Sequence, residues 1–127
     1  MDPISDMLIR IKNAQRAGHE VVRVSHSKFK YEIVRALELN GYVGKIDRKG
    51  KRVKKTLEIE LLYKNEEPVI HGIGLISKPS NRMYASVKEL NTARKGGLLL
   101  LSTPKGVMSV RDARKQNVGG MLIAEVW

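Results

Sequence analysis

The spacing of apolar residues at the start of the chain predicts an amphipathic helix. Asp2 suits the N-cap and Pro3 the first helical position, while Gly18 suits a left-handed C-terminal cap. The apolar residues between these signals recur at three- and four-residue intervals, which places them on one face: Ile4, Met7, Leu8, Ile11 and Ala14. The polar side of this helix is basic.

A second helix is predicted after a short strand at residues 21–24. Ser25 or Ser27 can cap this helix, and Asn40-Gly41 follows its end at about Leu39. Its expected buried stripe again has helical spacing: Phe29, Ile33, Val34 and Leu37.

The pattern then changes to the two-residue period of β-strands. Strands are predicted over residues 42–47 and 56–63, and in the second the apolar residues Leu57, Ile59 and Leu61 alternate with polar ones. Such alternation is typical of an antiparallel strand with one buried face. Gly50 marks the turn of this hairpin, whose tip is strongly basic: Lys45, Arg48, Lys49, Lys51, Arg52, Lys54 and Lys55.

The second half predicts short strands separated by loops and short helices. Strands are expected over residues 69–77, 98–102 and 121–126, the middle one fully buried because its sequence is almost continuously apolar. A loop is expected at residues 78–81, a short extended piece at 82–84 and a tight turn at 103–106. Ser86 suits the N-cap of a short helix that carries Val87, Leu90 and Ala93 and ends at Gly96-Gly97. A second short helix is predicted to begin at Ser109, where Asp112 completes a capping box, and to end at Val118-Gly119-Gly120.

These elements predict an α+β fold made of two small α/β subdomains. Residues 1–64 place N-terminal helices on a short, mainly antiparallel sheet, and residues 69–127 are mostly β with short helices. The polar, proline-terminated segment 65–68 is the expected boundary.

Composition narrows the class of protein. Hydrophobic residues make up 42% of the 127, enough for a core, and this excludes wholesale disorder. The longest apolar run, residues 98–101, is far shorter than the roughly 20 residues of a membrane span. Because Met1-Asp2-Pro3 lacks the layout of a signal peptide, we expect a cytoplasmic protein without a membrane partner.

Charge is the strongest compositional signal. The chain has 24 Lys and Arg against 13 Asp and Glu, a net charge of +11. A domain this basic usually binds a polyanion, and nucleic acid is the default partner. The alternative is a protein that positive charge merely keeps soluble.

Catalytic and metal chemistry find little support in the sequence. Cysteine is absent, and the three histidines are far apart, so we expect no metal and no cofactor. Gly72-Ile73-Gly74 lacks the third glycine and the following helix of a dinucleotide site. Ser102, Thr103 and Lys105 have no neighbouring base to activate a hydroxyl, so we do not expect an enzyme.

The same segment is a better candidate for contact with RNA. Ser102, Thr103, Lys105 and Gly106 offer hydroxyls, a charge and a slim backbone within five residues, which suits the shallow minor groove of an A-form helix. Tyr84, beside Arg82, is a candidate for stacking on an unpaired base. A plain turn and a tyrosine at the edge of the core are the alternatives.

Other cations are candidates for phosphate contacts without sequence preference. At the hairpin tip these are Lys49, Lys51, Arg52 and Lys54, and on the second helix Lys28 and Lys30. The four tip cations, together with Gly119 and Gly120, are expected to make the weaker phosphate contacts, whereas Lys28 and Lys30 are counted with the main RNA-binding residues. A solvated tip that touches nothing is the alternative.

Three ordered motifs carry a resemblance to a known family. They are the opening Asp2-Pro3-Ile4-Ser5-Asp6-Met7-Leu8-Ile9-Arg10-Ile11-Lys12-Asn13, then Ser27-Lys28-Phe29-Lys30, and then Ser102-Thr103-Pro104-Lys105-Gly106-Val107-Met108-Ser109 with Ala113-Arg114 and Val118-Gly119-Gly120 after it. Over essentially its whole length the chain resembles the eighth protein of the small ribosomal subunit, in its bacterial type.

This resemblance implies a protein that binds small-subunit rRNA directly in its central domain and helps to assemble the platform. It implies neighbouring small-subunit proteins as partners, a monomer within the cytoplasmic ribosome, and repression of translation from its own messenger. The implied RNA contacts are Ser102, Thr103, Lys105, Gly106 and Tyr84.

Two residues depart from the family pattern. Pro104 stands where a small hydroxyl residue is usual, and Met121 stands where glutamate commonly follows the paired glycines.

Two other classes of protein remain as alternatives. A basic DNA-binding regulatory module lacks a recognisable helix-turn-helix arrangement here, and an enzyme acting on RNA lacks an acid–base constellation.

Overall fold

The computed structural model describes residues 2–51, 54–78, 81–89 and 97–127, which fall into two units, residues 3–71 and 72–127. In chain order, the elements of the first unit are α1 Pro3–Arg16, β1 Val21–Ser25, α2 Lys28–Leu39, β2 Val43–Lys49, β3 Thr56–Leu61, β4 Tyr63–Lys64 and β5 Glu67–Pro68. Those of the second are β6 Ile73–Leu75, β7 Tyr84–Ala85, a 3₁₀ turn Val87–Glu89, β8 Leu98–Thr103, β9 Gly106–Ser109, α3 Val110–Gln116 and β10 Gly120–Val126. The mixed α+β class is therefore confirmed.

The first unit is a three-stranded antiparallel sheet in the order β1-β3-β2, with α1 against β1 and α2 against β2. The predicted alternation in β3 is confirmed, since Leu57, Ile59 and Leu61 are buried. The helices bury the predicted stripes except for Ile4 and Phe29, which are half-buried.

The predicted helix ends are also observed. Ser27, rather than Ser25, caps α2: its Oγ accepts a hydrogen bond from the N–H of Lys30 at 3.1 Å. Gly18 and Gly41 have φ angles of +78° and +82°, the left-handed conformation that glycine adopts most easily.

A second hairpin of the first unit, β4–β5, was not predicted. Its two turn residues, Asn65 and Glu66, both have positive φ. The hydroxyl of Tyr63 donates to the carbonyl of His19 at 2.6 Å and lies 3.2 Å from that of Gln15, at the end of α1. Burial raises the pKa of Tyr63, because desolvation disfavours the phenolate.

The second unit is an antiparallel sheet in which β10 lies between β8 and the short strands β6 and β7, and β9 follows β8. The helix α3 covers one face, where Leu101, Met108, Val110 and Ala113 form a buried cluster. Ser109 caps α3 as predicted, since its Oγ accepts from the N–H of Asp112 at 3.1 Å.

Three details of this unit differ from the prediction. The strand expected at 69–77 is only Ile73–Leu75, because β10 pairs with these three residues alone. The strand at 98–102 is not fully buried: the seven-residue α3 covers Leu101 completely and leaves Leu99 half-buried. Asn117, not a glycine, ends α3 in the left-handed conformation, which asparagine tolerates well.

Some predicted features lie partly outside the described residues. Of the helix expected after Ser86 the structure describes the 3₁₀ turn Val87–Glu89, whereas Leu90, Ala93 and Gly96 lie outside the described residues. In the predicted loop 78–81, Lys78 and Asn81 exchange two backbone hydrogen bonds, and residues 79–80 are not described. In the described part of the chain, no helix is long and apolar enough to cross a membrane.

Candidate RNA interface

The turn between β8 and β9 is a two-residue hairpin loop that exposes Pro104 and Lys105. It is closed by Thr103, whose hydroxyl donates to the carbonyl of Gly106 at 2.8 Å and accepts from the N–H of Lys105 at 3.1 Å. Gly106 has a φ of +114°, which disfavours any other residue. The Thr103 side chain is therefore buried and shapes the turn from within.

Ser102 belongs to a row of side chains that crosses the sheet. It lies opposite Val107 of β9 and Met121 of β10, and Met121 lies opposite Tyr84 of β7. Residues directly opposite each other on antiparallel strands share a face. Since Leu101 faces α3, the neighbouring Ser102 faces the other way. This row, which we call the Ser102 row, consists of Val107, Ser102, Met121 and Tyr84.

Tyr84 and Arg82 occupy one end of the Ser102 row. The Tyr84 side chain is 70% exposed although it is aromatic, and Arg82 Nη1 lies 3.9 Å from the sulfur of Met121. The backbone beside them is held at two points: the N–H of Met83 donates to Ser77 Oγ at 2.9 Å, and its carbonyl accepts from the N–H of Leu122 at 2.8 Å. A planar ring and a guanidinium are thus presented together on an anchored strand.

Gly119 and Gly120 place β10 close to its neighbours. A β-carbon at Gly120 would lie 2.0 Å from the carbonyl oxygen of Ser102, and one at Gly119 would lie 2.4 Å from that of Ala85. Both glycines are needed for close backbone packing, which sets the distance between Ser102 and Tyr84. With strands about 4.8 Å apart, two strand spacings separate these residues by roughly 10 Å.

The predicted phosphate-binding cations of the first unit have different environments. Lys28, Lys51 and Lys54 are exposed, whereas the ammonium of Lys30 donates to Ser25 Oγ at 2.7 Å. Lys49 pairs with Glu58 at 3.2 Å. Arg52 lies outside the described residues.

Glu58 is at the centre of a cross-strand ion network. It accepts from Lys49 of β2 and from Arg23 of β1, the latter at 3.1 Å. The hydrogen bond from Lys49 is the main cause that holds the pKa of Glu58 below its ordinary value, with Arg23 acting in the same direction and partial desolvation opposing them. This face of the sheet therefore carries balanced charges.

Known proteins match this chain over nearly its whole length. The family described as Ribosomal protein S8 matches residues 2–127. The chain is 42% identical over 127 residues to small ribosomal subunit protein uS8 of Mycoplasma mobile, covering 99% of this chain and 96% of that protein. It is 45% identical over 135 residues to uS8 of Thermus thermophilus, covering 99% and 98%.

The chain belongs to the ribosomal protein S8 family. The resemblance seen in the sequence motifs is thus confirmed. Members of this family are structural ribosomal proteins, so this chain is not an enzyme.

In this member of the S8 family, the structure brings together part of the predicted site. Ser102, Lys105, Gly106, Tyr84 and Arg82 all lie at one end of the second unit's sheet. Thr103 lies in the same turn but on the α3 side. Lys28, Lys30 and the hairpin tip belong to the other unit.

Sequence reasoning missed the central position of Met121. This residue lies between Ser102 and Tyr84 and contacts Arg82. The alternation of β10 was the available signal, because it places Met121 and Ile123 on one face and Leu122 on the other. The bulge after Leu122 interrupts that pattern, so the register had to be observed.

Gly72 and Gly74 have a structural explanation in this S8-family protein. Gly72 exchanges two backbone hydrogen bonds with Trp127, and a β-carbon at Gly72 would lie 2.4 Å from the indole. Gly72 therefore accommodates this ring, whereas a β-carbon at Gly74 would make only ordinary contacts with it. Among the described residues, no group of three or more His, Cys, Asp or Glu side chains is arranged to hold a metal ion.

Proposed function

We propose that this structural constituent of the small ribosomal subunit binds the central domain of small-subunit rRNA directly, through its second unit, and helps to assemble the platform. Its family places the chain in the cytoplasmic ribosome, among the components of the small subunit. We propose that its partners are a helix of this central domain and the neighbouring proteins of the small subunit.

The observation that carries the proposal is the Ser102 row. It sets a hydroxyl, a thioether and an exposed aromatic ring in line on the sheet face opposite α3. An exposed tyrosine with an adjacent arginine suits an unpaired base, and a serine hydroxyl suits a ribose 2′-OH, because each hydroxyl can donate and accept. Lys105 in the adjacent turn supplies a charge for a phosphate.

The net charge of the chain supports a second, less selective contribution. Lys28, Lys51 and Lys54 of the first unit are exposed cations, and Lys30 and Lys49 lie close to them in sequence. Contacts of this kind raise affinity for any RNA and weaken with salt. We assign selectivity to the second unit and electrostatic attraction to the first.

The experiment is a binding titration of the full chain against a central-domain rRNA fragment, an unrelated RNA and a DNA duplex. Ser102→Ala should weaken binding to the rRNA fragment by about 0.5–1.5 kcal/mol, and Tyr84→Ala by about 1–3 kcal/mol. Both variants should leave binding to unrelated RNA almost unchanged. Leu39→Ala is the matched control, because Leu39 is also 70% exposed but lies in the other unit.

Two outcomes would contradict the proposal. Equal loss on all three nucleic acids would show that the Ser102 row positions the protein without selecting RNA. Tighter binding to the DNA duplex than to the rRNA fragment would favour a DNA-binding module instead.

Repression of its own messenger is proposed on the same site. It requires the messenger to present a fold similar to the rRNA target, so both RNAs should compete for one site on the protein. Tyr84→Ala should then weaken both interactions by the same factor, as measured by competition. A messenger that binds simultaneously with the rRNA fragment would contradict this mode of repression.

A further inference from the structure

Two basic segments that are separate in sequence meet within the first unit. The N–H of His26, before α2, donates to the carbonyl of Lys55, at the end of the β2–β3 hairpin, at 2.9 Å. The guanidinium carbon of Arg48 in β2 lies 4.7 Å from the ring centroid of Tyr31 in α2. These contacts join the start of α2 to the hairpin. We call the result the Arg48 surface: His26, Lys28, Tyr31, Arg48 and Lys55.

In the Arg48 surface the guanidinium of Arg48 stacks on the ring of Tyr31, and the ring of His26 lies nearby. The ring of His26 lies 6.4 Å from that of Tyr31, with 30° between their planes, and Arg48 lies over the same tyrosine. Arg48 is exposed, while Tyr31 is half-buried beneath it. A guanidinium resting on an aromatic ring keeps its outer face available, and nucleobases stack on guanidinium planes as they do on aromatic rings.

The charges around this stack favour RNA. Lys28 and Lys55 are exposed, and Lys54 precedes Lys55. Asp47 and Lys49 flank Arg48 in β2 and so point to the opposite face of the sheet, where Glu58 pairs with Lys49 and Arg23. Glu32, one helical turn after Lys28, is the nearby acid on α2. The basic residues around the stack, Lys28, Arg48, Lys54 and Lys55, therefore outnumber this acidic residue.

We propose that the Arg48 surface binds an unpaired nucleobase of RNA, stacked on the guanidinium of Arg48, and holds the adjoining phosphates with Lys28 and Lys55. This contact rests on the proposed function as an RNA-binding protein. It adds to the first unit a preference for single-stranded RNA, whereas the basic hairpin tip by itself would bind any polyanion.

The test compares Arg48→Lys with the wild-type full chain, because lysine keeps the charge and loses the planar fork. The probe is a short oligouridine strand with one central 2-aminopurine, whose fluorescence falls when it stacks, alone and in duplex with its complement. Arg48→Lys should abolish the quenching and weaken single-strand binding roughly five- to one-hundred-fold. Binding to the duplex should change less than twofold.

Two further variants serve as matched controls. Arg35→Lys makes the same chemical change on α2, at an exposed arginine paired with Glu38, and should behave as the wild type. Tyr31→Phe keeps the aromatic ring and should retain the quenching. Tyr31→Leu removes the ring and should lose the quenching. Because Tyr31 is half-buried, thermal unfolding of each variant shows whether a loss reflects the fold, and Arg48→Lys decides the question if Tyr31→Leu fails to fold.

The outcomes separate this inference from the proposed function. Equal loss on both probes, or full quenching in Arg48→Lys, overturns the stacking site. If Tyr84→Ala weakens binding to the central-domain fragment while Arg48→Lys changes neither probe, the inference fails and the proposed function stands. If Tyr84→Ala and Ser102→Ala both leave that binding unchanged, the proposed function fails.

Discussion

Gly120 packs directly against the main-chain carbonyl of Ser102, so closely that a β-carbon on Gly120 would lie 2.0 Å from the carbonyl oxygen. This packing sets the start of β10 against the end of β8. It thereby places Met121 beside Ser102 and, through the next strand pairing, beside Tyr84. The geometry of the candidate RNA interface thus depends on Gly120, a residue that has only a hydrogen atom as its side chain.

Gly120→Ala should lower both stability and RNA affinity. The added methyl group has backbone atoms on its path, so β10 or β8 must shift, and overpacking of this kind typically costs about 1–3 kcal/mol. Thermal or urea unfolding measures the first effect, and titration with the central-domain rRNA fragment measures the second. Gly74→Ala is the control, because its β-carbon would find only ordinary contacts at 3.5 and 3.8 Å, both with Trp127. Wild-type stability in Gly120→Ala would contradict the packing argument.

Thr103→Val should destabilise the β8–β9 hairpin. The hydroxyl of Thr103 makes two hydrogen bonds inside the turn, to Gly106 and from Lys105, and valine makes neither. At about 0.5–1.5 kcal/mol for each hydrogen bond, the free energy of unfolding should fall by roughly 1–3 kcal/mol. Thr103→Ser keeps the hydroxyl and should be much less destabilised. If Thr103→Val unfolds like the wild type and yet binds cognate RNA more weakly, the hydroxyl acts on the RNA and not on the turn.

The salt dependence of RNA binding should report the hairpin tip. Replacing Lys51, Arg52 and Lys54 with Gln should weaken binding to cognate and unrelated RNA alike. It should also flatten the slope of log K against log salt by about 0.7–0.9 for each phosphate that the tip no longer neutralises. Lys49 is left in place because it pairs with Glu58, and its removal would break this ion pair as well as remove a charge. An unchanged slope with reduced affinity would show that the tip does not contact phosphates.

Acid should weaken the first unit partly through Glu58. The pKa of this carboxyl is lowered in the folded protein, so its stabilising contribution is complete above the unfolded pKa and is lost as pH falls through the folded one. Glu58→Gln should therefore be less stable than the wild type near neutral pH, and the difference should shrink toward about pH 3. Urea unfolding of both proteins between neutral pH and about pH 3 measures this difference in stability. Glu67→Gln, which removes one carboxylate at an exposed position in β5, is the matched control.

Local patterns were enough to predict most of the secondary structure. The capping residue Ser109, the glycine stops at Gly18 and Gly41 and the alternation of β3 all act within a few residues of chain. Helix ends and strand faces depend on short-range hydrogen bonding and periodicity, so such signals are readable one segment at a time. The family motifs are also short continuous segments, so they too could be recognised one at a time.

Contacts between distant segments were decided only by the tertiary structure. The length of β6 follows from its pairing with β10, and the anchoring of Tyr63 to the end of α1 joins residues 44 and 48 positions apart. Nothing in the residues around Met121 indicates Arg82 as its neighbour. Strand register and packing are set by the whole sheet, and a bulge shifts every residue beyond it.

The candidate site shows the same division. The sequence by itself determined that the chain is strongly basic, which residues could meet RNA, and which family it resembles, because charge and hydroxyl chemistry are properties of single residues. The tertiary structure decided that Thr103 faces inward, that Ser102 and Tyr84 share one face across Met121, and that Arg48 rests on Tyr31. Each of these depends on which atoms pack against each other in space, and that is fixed only when the strands and helices pair.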